Sequence, residues 1–203
     1  MNRVLKTLIF SDILIWSGVS FLSPIIAIFI NDRLIGGSVF TAGMATTVAY
    51  LVRAAILVPV GRYNDRDRGN RREFATLLIG VFIMSAVPLS YIFINRIEYF
   101  FTAQMVYGIG LALYYPGWLT IWTRFVDGFH EGQSWAIYGA LTSAAIAIAA
   151  FVGGYVAFFL SFNAVFVMVA VFGAISLIII YLAKEQIYGW PKTKGRGNRA
   201  RLQ

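Results

Sequence analysis

The chain has 203 residues, of which 59% are hydrophobic and only 13% are charged. A soluble domain is roughly 45–50% apolar and about 25% charged, so the composition excludes an ordinary water-soluble fold and indicates a lipid bilayer as the solvent. The formal charge of +8 does not indicate nucleic-acid binding, because the basic residues lie between and after the apolar segments rather than on one face. The sequence has no cysteine, which excludes disulfides and thiol chemistry.

Six apolar segments follow one another, each of roughly the 20 residues needed to cross a hydrocarbon layer. They are placed at residues 7–30, 39–60, 74–94, 99–122, 134–159 and 163–183. The first is too long for the apolar core of a signal peptide, and we interpret it as a retained helix. The sequence therefore predicts an all-α membrane protein with a six-helix transmembrane domain over residues 1–183. Residues 184–203 are predicted to form a basic, disordered cytoplasmic tail.

The basic residues predict the orientation of these helices. With the N-terminus inside, Arg33 and Arg96 lie outside and Arg53 lies within a helix, while every other Lys and Arg falls inside. The positive-inside rule then predicts that both termini are cytoplasmic. We expect an integral protein of a bacterial or archaeal cytoplasmic membrane, with the lipid bilayer as its first partner.

Two ionisable residues lie inside predicted helices, Asp12 in the first and Arg53 in the second. A charge at the bilayer centre costs about 2.5–3.5 kcal/mol on insertion scales, so such residues usually face the protein interior. At 1.5 Å per residue both lie roughly 7–10 Å from the same membrane face, and we expect that they can meet. Three interpretations remain open. In the first, the two residues form a structural ion pair, and in the second, Arg53 extends to the cytoplasm. In the third, Asp12 is a substrate or proton site, and Arg53 either tunes its pKa or binds an anion.

Aromatic and polar side chains accompany these charges at helical spacing. Trp16 shares a face with Asp12, and Tyr50 shares one with Arg53. The further candidates on the fourth and fifth segments are Gln104, Tyr107 and Tyr138. We interpret the set as the lining of a cavity for a small molecule, the alternative being aromatic residues used only for packing. The sequence shows no nucleotide-binding loop, metal-ligand cluster or hydrolytic triad, so neither an enzyme nor a cofactor is predicted.

The segment between the second and third helices carries the most specific pattern. Gly61 permits a close approach of another chain segment, and Asp65 is placed to accept hydrogen bonds from a helix N-terminus. The segment resembles the Gly-x-x-x-Asp-Arg-x-Gly-x-Arg-Arg signature of the major facilitator superfamily of secondary transporters, with one extra residue in its second half. The matching residues are Gly61, Asp65, Arg66, Gly69, Arg71 and Arg72.

Weaker similarities to this family lie in the first and fourth helices. Pro24 resembles the family's proline near the outer end of the first helix, and Gly108-Ile109-Gly110 is similar to its Arg-x-x-x-Gly-x-Gly pattern. Gln104 stands where the family has that arginine, so the proton-relay role of the arginine is not carried over. The resemblance implies the N-terminal half of a 6+6 helix bundle, in which the 61–72 segment acts as a cytoplasmic gate.

The resemblance implies a half-size secondary transporter of a small solute. It would work by alternating access as a homodimer, or together with a separately encoded six-helix half. Its cavity would be lined by the first, second, fourth and fifth helices, and a proton gradient would drive it. The alternative is a non-transporting membrane protein derived from a transporter, namely a regulator, an assembly partner or a truncated remnant. A mitochondrial-carrier-like protein is disfavoured, because its repeated Pro-x-Asp/Glu-x-x-Lys/Arg motif is missing.

Overall fold

The computed structural model describes residues 3–66, 70–126 and 130–188, which are almost entirely helical, as the sequence predicts. The helices are α1 (Arg3–Leu22), α2 (Ile26–Arg33), α3 (Val39–Asp65), α4 (Arg71–Ser90), α5 (Ile97–Phe125), α6 (Glu131–Phe159), α7 (Phe162–Leu182) and α8 (Lys184–Tyr188). Within the described residues, α1, α3, α4, α6 and α7 are long and apolar enough to cross a membrane. The 29-residue α5 is long enough, but its tyrosines, tryptophans and glycines make it less apolar. Apolarity thus identifies five spans rather than the predicted six.

The first apolar segment forms two helices instead of one. α1 ends at Leu22 and α2 begins at Ile26, with Pro24 between them. Proline has no N–H to donate, and it disfavours a helical conformation in the residue before it. The Ile25 N–H bridges this break by donating to the Leu22 carbonyl at 3.0 Å. The break therefore follows from the proline that the sequence places near the outer end of this segment.

Several helices extend past the predicted spans at the end of the bundle that carries residues 61–72. α3 runs to Asp65, and α4 begins at Arg71. The described part of the predicted 61–72 loop, residues 61–66 and 70–72, is therefore mostly helical, because charged residues stop an apolar segment without stopping a helix. The disorder predicted from residue 184 is also corrected, since residues 184–188 form α8. Residues 189–203 of the predicted tail lie outside the described residues.

The helices pack as two groups, α3 with α4 and α5, and α1 with α6 and α7, and contacts between α4 and α7 join the groups. Glycines allow the closest approaches. A Cβ at Gly80 would overlap the backbone of Tyr114, and one at Gly108 would overlap the backbone of Ala49. Backbones that approach this closely gain van der Waals contact, which is a main source of helix association in a bilayer.

Two helices lie at the flanks of the bundle and bury little of their surface. In both α3 and α6 only 17% of the most apolar stretch is buried, compared with 61% in α1. The apolar core lies elsewhere, around Phe74 and Trp122 near one end and around Phe29 and Phe166 near the other. The flanking helices are therefore held mainly by one neighbour each, α3 by α5 and α6 by α1.

Candidate functional site

Asp12 is fully buried in α1, on the side that packs against α6. The Tyr138 hydroxyl donates a hydrogen bond to its Oδ2 at 2.5 Å, and the Trp16 side chain lies beside the same carboxyl group. Among the residues that the structure describes, the other oxygen, Oδ1, has no hydrogen-bond partner and no basic side chain pairs with the carboxylate. A buried carboxylate without compensation is costly, so Asp12 is poised to take a proton or a cationic group.

The Tyr138 ring belongs to a cluster of aromatic side chains. Its centroid lies 5.2 Å from Trp118, 5.1 Å from Trp122 and 5.9 Å from Trp135. Trp118 and Trp122 stack with their centroids 5.2 Å apart, and both indole N–H groups are buried without a hydrogen-bond acceptor in the described chain. Because aromatic faces attract cations, the cluster gives the neighbourhood of Asp12 a second feature that favours positive charge.

Arg53 lies half-buried on α3, between two tyrosine rings. Its Cζ is 4.9 Å from the ring centroid of Tyr115 and 5.6 Å from that of Tyr50. No carboxylate within residues 3–66, 70–126 and 130–188 forms an ion pair with it. The arginine is thus held by cation–π contacts, and the edges of its guanidinium remain able to bind an anion.

The ion pair that the sequence left open between Asp12 and Arg53 is not formed among the described residues. Their similar depth in the membrane suggested that they could meet, but depth does not determine which helices are neighbours. α1 packs on α6 and α7, whereas α3 packs on α5 and α2. An ion pair that locks α1 to α3 therefore does not describe these residues.

The two charges are nevertheless linked through aromatic residues of α5 and α6. Arg53 contacts Tyr115, and Trp118, three residues further along α5, packs on Tyr138, which itself binds Asp12. We call the set Asp12, Arg53, Tyr50, Tyr115 and Tyr138 the charged aromatic face. Sequence reasoning missed Tyr115, although its spacing of three residues before Trp118 places the two on one side of α5.

Gln104 lies away from this face. Its Nε2 donates to the Tyr91 hydroxyl at 3.0 Å, within the aromatic core around Phe100 and Phe166. It precedes Tyr115 by about three helical turns, or roughly 16 Å along α5, so it does not line the same part of the bundle. Tyr107 lies between the two regions, since it packs against both the core around Phe74 and Trp122 and the core around Phe29 and Phe166.

The predicted gating residues are only partly described. Gly61 has open space around the position of a Cβ, so the close approach expected there is not made within the described chain. Asp65 and Arg66 are exposed at the end of α3, and Asp65 makes no described hydrogen bond to the start of α4. Gly69 lies outside the described residues. The beginning of α4 is tied to other helices, because Arg72 donates to the Tyr63 carbonyl at 3.2 Å and Arg71 lies over the ring of Tyr188.

A buried ion pair stands next to this segment and was missed from the sequence. Arg124 Nη2 on α5 lies 2.9 Å from Oε1 of Glu73 on α4, and the Glu73 side chain is completely buried. Arg124 also donates to Asn70, whose side-chain amide donates to the Ile187 carbonyl in α8 at 2.9 Å. These contacts join α4, α5 and α8. Both charged residues flank apolar segments, where the sequence gives no sign that they are buried.

The apolar helices and the charges between them define an α-helical integral membrane protein whose bundle holds ionisable groups. The family model described as Major Facilitator Superfamily matches residues 8–203. The chain therefore belongs to the major facilitator superfamily of membrane transporters, as the pattern at residues 61–72 indicates. No curated protein matches the chain significantly.

Proposed function

We propose that this chain is a six-helix transport unit that moves a small solute by alternating access, driven by a proton gradient. The observation that carries the proposal is the charged aromatic face, in which a fully buried Asp12 and a half-buried Arg53 have no described partner of opposite charge. Ionisable residues inside membrane helices usually serve substrate or ion pathways. Asp12 is the proton site in this proposal, because its Oδ1 is open to a proton.

The sixth span of the proposed unit is α5. Its 29 residues extend about 43 Å at 1.5 Å per residue, which exceeds the ~30 Å of a hydrocarbon core. Unlike the five spans identified by apolarity, α5 carries Tyr115, which contacts Arg53 on the charged aromatic face. A helix that lines a transport path is expected to have such a composition, because one of its sides does not face lipid.

The unit would be completed by a second six-helix unit, either another copy or a separately encoded half. Support comes from α3 and α6, which bury little of their surface in this unit and are free to pack on another one. Two units with the same orientation are related by an axis along the membrane normal, as in facilitator halves. The open space at Gly61 would admit an approaching helix of the second unit.

Residues 61–72 would act as the cytoplasmic gate. The residues assigned to it are Gly61, Asp65, Arg66, Gly69, Arg71 and Arg72. Support comes from the contacts that tie the start of α4 to α3 and α8 and from the adjacent Glu73–Arg124 pair. Charged side chains of this kind can exchange partners as the helices move, whereas a packed apolar side chain cannot shift unless its neighbours rearrange.

Alternating access is tested by labelling single cysteines in this cysteine-free chain. Tyr115→Cys should react with a membrane-impermeant thiol reagent added to either side of sealed vesicles, because the face opens to each side in turn. The control is Val171→Cys on the exposed surface of α7, which should face lipid and remain unreactive from both sides. Reaction of Tyr115→Cys from one side only would contradict transport and favour the non-transporting regulator or assembly partner.

The homodimer is tested separately by cross-linking. Thr47, about a third of the way along α3, and Ala147, near the middle of α6, are exposed, and a pair of copies would bring these two helices together. Cysteines at both positions should form a dimer with a short cross-linker, whereas Val171→Cys should not. Monomers alone, in membranes and in mild detergent, would rule out the homodimer and leave the separately encoded half.

A further inference from the structure

The charged aromatic face presents two charges of opposite sign that do not neutralise each other. Among the described residues, Asp12 is buried with Oδ1 unpartnered, and the Arg53 guanidinium has only tyrosine rings against it. Arg53 contacts Tyr115 on α5, and Trp118, one turn further along the same helix, packs on Tyr138 beside Asp12. Burying a charge away from water is unfavourable unless a partner compensates it, so each end of this face favours a ligand group of opposite sign.

The Asp12 end favours an organic ammonium group. A carboxylate with one free oxygen attracts a cation, and the neighbouring faces of Tyr138, Trp118 and Trp122 stabilise positive charge. Trp135 completes the cluster and is 39% exposed, so the cluster reaches the surface of the unit. A methylated or primary ammonium on an apolar stem fits this combination better than a small metal ion, because only one carboxylate is present to coordinate it.

The Arg53 end favours a carboxylate or a similar planar oxyanion. A guanidinium presents five N–H donors in a fixed fork, which binds a carboxylate through two parallel hydrogen bonds. The Tyr50 and Tyr115 rings contact the side chain at 5.6 and 4.9 Å and hold it in place without using an anionic partner. The arginine is thus positioned for an acceptor that the described protein does not supply.

We infer that the solute is a zwitterion whose ammonium group pairs with Asp12, displacing the proton that Asp12 carries between transport events, and whose carboxylate pairs with Arg53. This inference rests on the proposed transport function and specifies its substrate class. A solute with a single charge would leave the opposite protein charge uncompensated in a site of low dielectric constant. Because an unpaired buried group costs more than a missing neutral contact, the face should discriminate strongly against singly charged analogues.

The test is equilibrium binding of three probes to the purified full chain in detergent micelles. γ-Butyrobetaine carries both charges, choline carries only the ammonium, and butyrate carries only the carboxylate. Binding is followed by the fluorescence of the tryptophans beside Asp12. We expect saturable binding of γ-butyrobetaine with a Kd at least about tenfold below that of either analogue, as one charged hydrogen bond implies. Equal or tighter binding of choline or butyrate, or no saturable change with γ-butyrobetaine, would overturn the inference.

Two variants assign the charges. Asp12→Asn should bind γ-butyrobetaine no better than butyrate, and Arg53→Gln should bind it no better than choline. The matched controls are Glu98→Gln and Arg96→Gln, an exposed ion pair away from the face, and both should leave the three affinities unchanged. If Asp12→Asn does not fold, Asp12→Glu keeps the charge and should retain the preference for γ-butyrobetaine over butyrate. Variants that bind like the original chain would contradict the assignment.

The outcome separates the substrate class from the transport function. Two-sided labelling of Tyr115→Cys without binding of γ-butyrobetaine would overturn the zwitterion while alternating access stands. Binding with the predicted dependence on Asp12 and Arg53, but without uptake into proteoliposomes, would support the site and contradict transport by the homodimer.

Discussion

At the scale of single residues, Tyr138 connects the parts of the charged aromatic face. Its hydroxyl donates to Asp12, and its ring packs against Trp118 and Trp122. One tyrosine therefore stabilises a buried carboxylate and also orders the aromatic cluster around it. These two contributions can be separated, because phenylalanine keeps the ring and removes only the hydroxyl.

Tyr138→Phe should lower the free energy of unfolding by about 1–3 kcal/mol, since Asp12 would lose a hydrogen bond in a buried site. Chemical unfolding in detergent, followed by circular dichroism, measures this change. The same substitution in an Asp12→Asn background should cost less, because the neutral amide needs less compensation, and the difference gives the coupling between the two side chains. An equal cost in both backgrounds would show that the hydroxyl acts through packing and not through the carboxylate.

At the scale of helices, close contact between α4 and α5 depends on glycine. Gly80→Ala should destabilise the protein by about 1–3 kcal/mol, the usual cost of overpacking, because its Cβ would overlap the Tyr114 backbone. The control is Gly139→Ala on α6, where a Cβ meets no atom within 4 Å. That variant should be neutral or slightly stabilising, since alanine favours a helix over glycine. Thermal unfolding midpoints that fall equally for both variants would contradict this account.

The ion pair between Glu73 and Arg124 joins the same two helices at the end beside residues 61–72. Glu73→Gln should cost about 3–5 kcal/mol, because it leaves the arginine charge without its carboxylate in a largely buried site. Glu98→Gln is the control, since the Arg96–Glu98 pair is exposed and exposed pairs contribute within about 1 kcal/mol. Chemical unfolding compares the two variants, and similar small losses would show that the buried pair adds no stability.

Sequence patterns predict these helices much better than they predict helix neighbours. The apolar segments are visible because each must match the bilayer in length, and Pro24 marks the break in the first of them. Helix pairing depends instead on small local shapes, such as the glycines that fit against Tyr114 and Ala49. For this reason the depth of Asp12 and Arg53 could be estimated, whereas their separation onto different helix neighbours could not. The sequence does not single out Tyr115, because α5 carries aromatic residues on several sides.

At the scale of the whole molecule, the distribution of basic residues makes a prediction about orientation. A fluorescent protein fused after Gln203 should be bright, and alkaline phosphatase fused there should be inactive, because both termini are expected in the cytoplasm. Phosphatase fused after Asn95, in the turn before α5, should be active. The opposite pattern of activities would reverse the predicted topology and with it the cytoplasmic assignment of residues 61–72.

The hydrogen bond from Tyr138 to Asp12 spans 126 positions of the chain, and it also has a meaning for biosynthesis. At about 5–20 residues per second, the ribosome needs roughly 6–25 s to reach Tyr138 after Asp12 has been made. α1 must enter the membrane during that interval while α6, which supplies its partner, is not yet made. The first helix is therefore inserted before Tyr138 can donate a hydrogen bond to Asp12, and it reaches its final packing position only after the last third of the chain has been synthesised.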